Sequence, residues 1–488
     1  MSATAPHQKK PNLDSVTTIN QDGSRYFLHP ADVRGGFTKW RRYLGAFLLF
    51  IYVAMPWIPI NGHPAVFFDL ANRRFHLLGL TFVTEDLWLA FFLLTGLGFG
   101  LFYLTALAGR LWCGWTCPYT VFLEHIYRRI ERMIDGDAPA RRRLDAAPWT
   151  SEKIARRTIK HALFFLVSAA IAHVFLSYFV SIPRLYEYMQ QSPLAHAKAF
   201  GVVTFLTFAL YGSFAWFREQ FCIILCPYGR IQSALTDDNT MVIGYDANRG
   251  EPRGKPKDPN AGDCINCSRC VQVCPTGIDI RNGLQLECIG CAACVDACNE
   301  VMVKLDRPKG LVRYDSYNGL TGKPRKIIRP RIVLYTGFLL LGAVVLTLFL
   351  RGLHSADAEV SRLVGQPFYA NQEGVRNQFE LRMVNKRNEE VTFTVQAIDA
   401  PKGLKLNGVE TAITVPAQGE ITRPFFAVIP AADYSGRFPL KVEITVQPGD
   451  IRIENEISFL GPSVYAFKEQ LEAAKSDPTP EAEAPAPQ

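Results

Sequence analysis

The sequence predicts a multi-domain membrane protein with an α-helical transmembrane bundle of about five spans, a small cysteine-rich α+β module and a C-terminal β-sandwich. Three observations support this prediction. Long apolar runs occupy much of the first half and recur near 332–350, cysteines are bunched at short spacings, and apolar and polar residues alternate from about 378 to 460. With 488 residues, the chain is long enough for several folded units.

Five segments are apolar over about the 20 residues that a helix needs to cross a bilayer. They are approximately 43–60, 86–108, 161–182, 198–217 and 332–350. Pro56 and Pro59 predict a kink or an end near the close of the first segment. Buried core helices are the alternative, but the charged flanks of all five segments favour a lipid bilayer as their surroundings.

The Lys and Arg residues alternate along the chain in the way that membrane topology requires. They are dense before the first span, between the second and third, and before the fifth, but sparse in the other connections. The positive-inside rule therefore places residues 1–42 and 218–331 in the cytoplasm and residues after 351 on the opposite side. The same distribution accounts for the net charge of +8, so no nucleic-acid partner is predicted.

The strongest motif in the chain is a double run of cysteines. Cys264-x2-Cys267-x2-Cys270-x3-Cys274-Pro is followed by Cys288-x2-Cys291-x2-Cys294-x3-Cys298. In such a double run, three cysteines hold one [4Fe–4S] cluster and the fourth reaches the other cluster. The predicted ligands are Cys264, Cys267, Cys270 and Cys298 for cluster one, and Cys288, Cys291, Cys294 and Cys274 for cluster two. Structural zinc sites are the alternative. Asn299 replaces the proline expected after the second run.

The remaining four cysteines form an internal repeat of the pattern C-x3-C-P-Y. Cys113 and Cys117 follow the second predicted span, and Cys222 and Cys226 follow the fourth. On a helix, residues four apart share a face, so each pair can present two sulfurs together, although the following proline disfavours helix at the second cysteine. These four are the predicted catalytic and metal residues, and they could hold Cu(I) or a third iron–sulfur centre. Buried apolar cysteines at helix ends are the alternative.

Three histidines near the predicted spans are weaker candidates. His161 and His173 lie twelve residues apart on the third span, and His125 follows the first cysteine pair. Haem ligation is not favoured, because only one span carries histidines at depth. His173 is the functional candidate among them, since polar residues inside a membrane are often functional.

The domain boundaries follow from these features. The segments are 1–42, a cytoplasmic N-terminal segment; 43–217, the four-helix transmembrane region; 218–331, a linker with a ferredoxin-like module at about 255–305; 332–350, the fifth span; 351–465, the β-domain; and 466–488, a Pro/Ala/Glu-rich tail. Alternation in 378–384, 391–397, 438–446 and 451–459, separated by turn residues, predicts an immunoglobulin-like sandwich of about seven strands. The tail after Lys475 is predicted to be disordered.

The combination of motifs resembles the cytochrome c oxidase accessory proteins of the CcoG/FixG/RdxA type. The resemblance rests on the two C-x3-C-P motifs, the R-G-E-P-R-G stretch at 249–254 and the double cysteine run. It implies a multi-pass protein of the bacterial inner membrane, with the ferredoxin module cytoplasmic and the β-domain periplasmic. It also implies cupric reductase activity, in which Cu(II) is reduced to Cu(I) for assembly of a cbb3-type oxidase. Copper ions and a copper chaperone, copper transporter or oxidase assembly factors would be the partners, together with an electron donor that the sequence does not name.

Two other functions remain open at this point. The chain could be an electron conduit to another respiratory or quinone-linked partner without copper specificity. It could also be an oxidase assembly scaffold, whose β-domain docks a partner and whose clusters are secondary. Copper-dependent activity separates cupric reduction from the conduit, and the effect of cluster-cysteine substitutions separates both from the scaffold.

The alternation of basic and non-basic loops generates a topology prediction. A reporter that is active only outside the cytoplasm should be active when fused after Arg351 and inactive when fused near Gly250. A second reporter that is active only in the cytoplasm should give the reverse result. Equal signals from the two fusion sites would contradict the predicted orientation.

Overall fold

The computed structural model describes residue 18 and residues 26–83, 86–351 and 355–476. The chain divides into two compact units between Leu348 and Phe349. The first unit is mainly helical and contains all twelve cysteines. The second unit is built from β-strands and a final helix.

The helices of the first unit are distributed along its whole length. They are α1 Gly36–Ala54, α2 Leu87–Ala108, α3 Leu111–Trp115, α4 Pro118–Phe122, α5 Arg128–Asp135, α6 Ala138–Ala146, α7 Ser151–Leu176, α8 Ile182–Gln190, α9 Ala197–Gly212, α10 Pro227–Leu235, α11 Ala247–Gly250, α12 Arg269–Gln272, α13 Ala293–Lys304, α14 Tyr317–Leu320 and α15 Pro330–Arg351. Single π-helical turns lie at Leu123–Tyr127, Ser213–Phe217 and Phe221–Leu225, and 3-10 turns lie at Met55–Trp57 and Ile280–Asn282.

Within the described part of the chain, four helices are long and apolar enough to span a membrane. They are Trp88–Ala108, Ser151–Leu176, Ala197–Phe217 and Pro330–Arg351. The chain is therefore a membrane protein, as the sequence predicts. The predicted limits of the third span, 161–182, were wrong, because α7 begins at Ser151 and ends at Leu176, and Ile182 begins α8.

The predicted first span, 43–60, also needs correction. The helix α1 begins at Gly36 and ends at Ala54, one residue before a 3-10 turn that contains Pro56. Pro59 already belongs to a β-strand. The first helical turns of α1 carry Lys39, Arg41 and Arg42, so its apolar part is confined to the residues that follow them.

Three small antiparallel sheets complete the first unit. Two lie in the connection between α1 and α2, and the third pairs strands on either side of the double cysteine run. The strands are β1 Pro59–Ile60, β2 His63–Pro64, β3 Val66–Asp69, β4 Arg74–Leu77, β5 Leu80–Phe82, β6 Val242–Tyr245 and β7 Val312–Asp315. The β6–β7 pair joins the two ends of the cysteine module, whose buried core includes Ile243, Ile280 and Met302.

The second unit is a sandwich of two antiparallel sheets. One has the order β12-β14-β10-β8 with β9 beside β10, and the other has the order β13-β11-β15-β16. The strands are β8 Ala356–Arg362, β9 Tyr369–Asn371, β10 Gly374–Asn385, β11 Val391–Ile398, β12 Lys405–Asn407, β13 Ile413–Val415, β14 Glu420–Pro430, β15 Phe438–Gln447 and β16 Ile451–Phe459. The described residues of this unit form nine strands, whereas the sequence predicted about seven. The short strands β9 and β12, of three residues each, lie at the edges.

The core of the sandwich explains why alternation predicted its long strands. In β15, every second side chain from Leu440 to Val446 is buried, and the intervening residues face outward. Phe379, Phe393 and Phe425 are fully buried between the sheets. The segment predicted as a tail from 466 begins instead in helix α16 Val464–Ser476, whose Phe467 packs into this core. The predicted disorder after Lys475 concerns residues that, apart from Ser476, lie outside the described part of the chain.

A buried carboxylate joins four segments of the helical unit. Glu131 on α5 lies 2.8 Å from Arg218, 3.4 Å from Arg141 on α6 and 3.5 Å from Lys160 on α7. All four side chains are almost completely buried. Burial alone would raise the pKa of Glu131, but the nearby charges of Arg218, Lys160 and Arg141 hold that pKa well below its ordinary value. The ion cluster therefore depends on a charged Glu131.

The change Glu131→Gln should lower the stability of the protein strongly. It leaves three buried cations without their shared carboxylate, for which we expect a loss of about 3–5 kcal/mol, measured by thermal unfolding of the purified protein. Glu187→Gln on the exposed face of α8 is the matched control and should change stability by less than about 0.5 kcal/mol.

The same variant should alter the dependence of stability on pH. The folded-state pKa of Glu131 is lowered, so its contribution is present above the ordinary carboxyl pKa and is lost as pH falls toward the folded-state value. Acidification should therefore destabilise the wild-type protein more than Glu131→Gln. Parallel pH profiles would show that Glu131 is not the charged centre of this cluster.

Candidate metal centres

The two cysteine runs adopt the same local backbone. In each run, the residue after the second cysteine has a left-handed conformation and precedes a helix that carries the third cysteine. Ser268 has φ 54° before α12, and Ala292 has φ 59° before α13. This shared turn folds each run back on itself, so that cysteines close in sequence can face a common centre.

The first group of cysteines lines one cavity. Cys264, Cys267 and Cys270 come from the first run, and Cys298 comes from the middle of α13. The backbone N–H of Val312 donates a hydrogen bond to the Cys298 sulfur, while burial raises the pKa of that thiol to about 11. These are the four cysteines assigned to cluster one from their spacing, and their role as ligands stays a prediction.

The second group lies deeper. Cys288, Cys291 and Cys294 are each within electrostatic range of Cys274 from the first run. Burial raises the pKa of Cys288 to about 12, and the backbone N–H of Gly290 bonded to its sulfur acts in the opposite direction. The structure thus brings together the four cysteines that the spacing assigns to cluster two, again without testing ligation.

Both groups have donors that suit a four-iron cluster. Burial disfavours a free thiolate, whereas binding to iron stabilises it. Backbone N–H groups that point at the sulfurs are the contacts that adjust a bound cluster. A single zinc ion instead needs its donors close to one point. Among the described residues, no group of three or more His, Cys, Asp or Glu side chains has an arrangement suited to one metal ion.

The two C-x3-C motifs break their helices at the second cysteine. Cys117 precedes α4 with ψ 122°, and Cys226 precedes α10 with ψ 112°, each followed by proline at the first helical position. The helix break that the prolines predict at Cys117 and Cys226 is therefore confirmed, and the two cysteines of a pair do not share one continuous helix. A proline disfavours helical backbone at the residue before it, and each of these cysteines has extended backbone instead.

The four cysteines of these two motifs nevertheless lie close together; we call Cys113, Cys117, Cys222 and Cys226 the membrane-side cysteines. Cys222 is within electrostatic range of Cys113, Cys117 and Cys226. Burial raises the pKa of Cys113 to about 12 and also raises that of Cys222, whereas Arg110 acts in the opposite direction on both. The guanidinium of Arg110 donates hydrogen bonds to Gln232 and to the carbonyl of Gly229. A fixed positive charge therefore lies beside a group of four sulfurs.

The repeat extends beyond the cysteines. Four residues before the first cysteine of each motif, Gly109 has φ 55° and Arg218 has φ 48°, with the same ψ of −126°. The tyrosine that follows each motif reaches the other half of the repeat. Tyr228 bonds Thr105 of α2 at 2.6 Å, and Tyr119 donates to the Arg218 carbonyl at 2.7 Å. These reciprocal contacts hold the two motifs together.

The first membrane-side motif touches the loop of the second cysteine group. A Cβ atom on Gly114 would lie 2.5 Å from the carbonyl oxygen of Ile289 and 2.8 Å from the Cα of Cys291. Only glycine allows this approach. Tyr314 strengthens the contact, because its hydroxyl donates to the Gly290 carbonyl at 2.5 Å and accepts from Trp115 Nε1 at 3.0 Å.

The histidine candidates lie in other contacts. His161 pairs with Tyr211 at 3.0 Å, and His173 Nδ1 lies 2.8 Å from the Ala169 carbonyl of its own helix. His125 packs against Gly45 of α1. Asn299 accepts a hydrogen bond from Gly310 N–H at 2.9 Å, a contact that proline could not make in its place.

Comparison with known proteins agrees with this geometry. A 4Fe-4S dicluster domain matches residues 217–317, a 4Fe-4S binding domain matches 89–135, and the IG-like fold at the C-terminal of FixG matches 346–462. RdxB of Cereibacter sphaeroides is 36% identical over 88% of this chain and 95% of its own length. RdxA of the same organism is 36% identical over 78% and 83% of the two chains.

The chain belongs to the FixG/RdxA family. FixG of Rhizobium meliloti is a further relative, 38% identical over 59% of this chain and 56% of its own length. The resemblance stated from the motifs is thereby confirmed at the level of the family. This FixG/RdxA-family chain is an iron–sulfur electron-transfer protein of the membrane with a dicluster domain and an Ig-like C-terminal domain.

Sequence reasoning did not identify Arg110, Gly114 or Tyr314 as site residues. Gly114 lies between two candidate ligands, and that position was its only signal in the sequence. Tyr314 lies on β7, 16 residues after Cys298, the last cysteine of the double run, and no sequence pattern connects it to Gly290. Their roles depend on tertiary contact.

The change Gly114→Ala should disturb the second cysteine group of this FixG/RdxA-family chain. The added Cβ meets backbone at 2.5 Å, so we expect faster hydrogen exchange at 288–294 and a loss of about 1–3 kcal/mol in thermal unfolding. The control Gly212→Ala has no atom within 4 Å of the added Cβ and should be neutral or slightly stabilising. Equal behaviour of the two variants would contradict the close contact.

Proposed function

We propose that this protein passes electrons from its dicluster module to the membrane-side cysteines, where Cu(II) is reduced to Cu(I) for assembly of a cbb3-type oxidase. The contact between Gly114 and the Ile289–Cys291 backbone is the observation that carries the proposal. It brings the motif of Cys113 and Cys117 against the loop that holds Cys288 and Cys291. Electron transfer across this contact would require no conformational change.

The proposed ligands are the two groups of four cysteines that the structure brings together. Cys264, Cys267, Cys270 and Cys298 would hold cluster one, and Cys274, Cys288, Cys291 and Cys294 would hold cluster two. When bound, each cluster exchanges one electron at a potential set by burial and by hydrogen bonds to sulfur. The chain supplies both conditions through its buried thiols and the N–H groups of Gly290 and Val312.

The membrane-side cysteines have the chemistry to bind the product. Cu(I) is a soft ion that prefers thiolate, and four sulfurs converge beside the guanidinium of Arg110. Arg110 favours thiolate over thiol at Cys113 and Cys222, opposing the effect of burial. The Cu(II) substrate would gain one electron there without any bond being broken in the chain.

The proposed topology has five spans. Helix α1 would be the first, because Phe47, Phe50 and Val53 on it are exposed in the absence of a bilayer. The dicluster module would lie in the cytoplasm and the β-sandwich in the periplasm, as the distribution of Lys and Arg predicts. Copper chaperones, transporters or oxidase assembly factors would then have access to the outer domain.

A second candidate function is electron transfer without copper specificity. The match of a 4Fe-4S binding domain to 89–135, which contains Cys113 and Cys117, favours a third iron–sulfur centre at the membrane-side cysteines. Such a centre would end the electron path at the membrane surface and serve a respiratory or quinone-linked partner. Thiolate sulfur is a donor that both Cu(I) and an iron–sulfur centre take.

Removal of one cysteine pair should abolish copper reduction. In Cys113→Ser/Cys117→Ser, we expect at least about a hundredfold lower Cu(II) reduction by the chemically reduced protein, because serine is a poor ligand for Cu(I). Replacing all four cysteines should do little further damage, since residues that act as a unit give non-additive losses. Thr116→Ser, between the two cysteines, is the control and should retain activity.

Metal analysis of the same proteins separates the two candidate functions. The wild-type protein purified without oxygen should contain about eight irons if only the dicluster module binds clusters, and about twelve with a third centre. Additive stability losses with unchanged copper reduction in the cysteine variants would refute the proposed copper site. Zinc without acid-labile sulfide would refute the clusters themselves.

A further inference from the structure

An arginine-lined pocket lies beside the second cysteine group. Its floor includes Val273, Pro275 and Ala293, which are the chain neighbours of Cys274 and Cys294. Six arginines from α1, α5 and α6 surround it: Arg41, Arg42, Arg128, Arg129, Arg132 and Arg141. We call this feature the arginine pocket.

The inner arginines are buried and already compensated. Arg128 pairs with Glu124 and Glu219 and donates to the Pro275 carbonyl at 3.0 Å. Arg141 pairs with Glu131 at 3.4 Å. The Nε atoms of both have no hydrogen-bond partner among the described residues. These side chains fix the wall of the pocket to the loop of Cys274 and add little uncompensated charge.

The rim of the pocket carries the excess positive charge. Arg42 on α1 and Arg129 and Arg132 on α5 are exposed, and Asp32 is the acidic residue of the lining that meets them, 2.5 Å from Arg132. Partial burial and the repulsion of Arg129 and Arg132 lower the pKa of Arg42. The positive-inside rule explains how many basic residues this side carries, but not why three of them converge on one rim.

We propose that the rim of the arginine pocket docks the acidic surface of a small one-electron carrier protein and holds that carrier against the loop of Cys274 and Cys294. This inference rests on the proposed function, for which it names the class of electron donor. Exposed guanidinium groups recognise carboxylates with two hydrogen bonds each, and opposite charge on two surfaces accelerates their encounter. The uncompensated charge lies on the rim rather than inside, which favours a protein surface over a small buried anion.

The proposed step is balanced without further reactants. The reduced carrier loses one electron, the dicluster module gains one, and no covalent bond forms or breaks. Docking on the rim places the carrier over the pocket whose floor is formed by Val273, Pro275 and Ala293, the chain neighbours of Cys274 and Cys294. Electrons would therefore enter at cluster two, the centre whose loop touches Gly114.

Binding can be measured separately from electron transfer. The probe is oxidised flavodoxin, an acidic carrier protein, titrated into the iron-loaded full-length protein in neutral-lipid nanodiscs. The test variant is Arg42→Gln/Arg129→Gln/Arg132→Gln. The control, Lys323→Gln/Arg325→Gln/Lys326→Gln, removes the same charge from exposed residues that do not line the pocket.

We expect the rim variant to bind flavodoxin at least about tenfold more weakly than the control variant at low salt. The difference in affinity should be largely lost near about 1 M salt, where charges are screened beyond roughly 3 Å. Equal affinities of the two variants would overturn the proposal. The proposal would also be overturned if the rim variant lost binding to anionic vesicles but still bound flavodoxin. That result would assign the rim to lipid headgroups.

Reduction rates then connect docking to the clusters. Reduced flavodoxin should bleach the cluster absorbance of the rim variant at least about tenfold more slowly than that of the control. Reduced methyl viologen, a cation, should reduce both variants at similar rates or the rim variant faster. Unequal binding with equal flavodoxin rates would overturn delivery through the rim. Failure of methyl viologen to reduce even the wild-type clusters would instead count against the proposed function.

Discussion

The approach of two backbones at Gly114 is the constraint on which the arrangement of the metal centres depends. The membrane-side motif and the loop of Cys291 come close enough that a Cβ atom would meet Ile289 at 2.5 Å. Interactions on both sides maintain this contact. Arg41 donates to the Gly114 carbonyl at 2.8 Å, and the Trp115–Tyr314–Gly290 hydrogen bonds join the same two segments. Cys113 shares one buried core with Cys264, Cys270, Cys291 and Cys294, so the cysteine module and the end of the first C-x3-C motif pack together.

Buried charged side chains of the helical unit also stabilise the region around the Gly114 contact. Glu131 binds Arg218, whose carbonyl accepts the hydrogen bond from Tyr119 after the first motif. Asp296 on α13 accepts hydrogen bonds from Thr38 N–H at 2.7 Å and from the Thr38 hydroxyl at 2.8 Å, at the start of α1. A carboxylate at a helix N-terminus is favourable because it meets unpaired N–H groups. The cysteine module is thereby attached to α1 as well as to α3.

The sequence predicted those features of the fold that depend on patterns between residues close in the chain. Cysteine spacing indicated the two groups of four, apolar length indicated the four helices that are long and apolar enough to span a membrane, and alternation indicated the strands β10, β11, β15 and β16. The short strands β9 and β12 were missed because three residues carry too little alternation to be recognised. The predicted segment 43–60 extends past the end of α1 because apolar content continues after Ala54, but the helix stops at the turn that contains Pro56, as that proline predicts. Arg110, Gly114 and Tyr314 could not be found, since their importance comes from neighbours distant in sequence.

The matched backbone conformations at Gly109 and Arg218 indicate that the two C-x3-C motifs belong to two halves of one repeated hairpin. Two identical hairpins related by a two-fold axis would place the same four sulfurs around that axis, as a symmetric dimer does. Joined in one chain, the halves are free to diverge. One half has glycine after its first cysteine and touches the module, whereas the other has Ile223 at the equivalent position. Matched cysteines thus lie in unequal surroundings, so that a centre bound by them would have one side toward the cysteine module and the other side away from it.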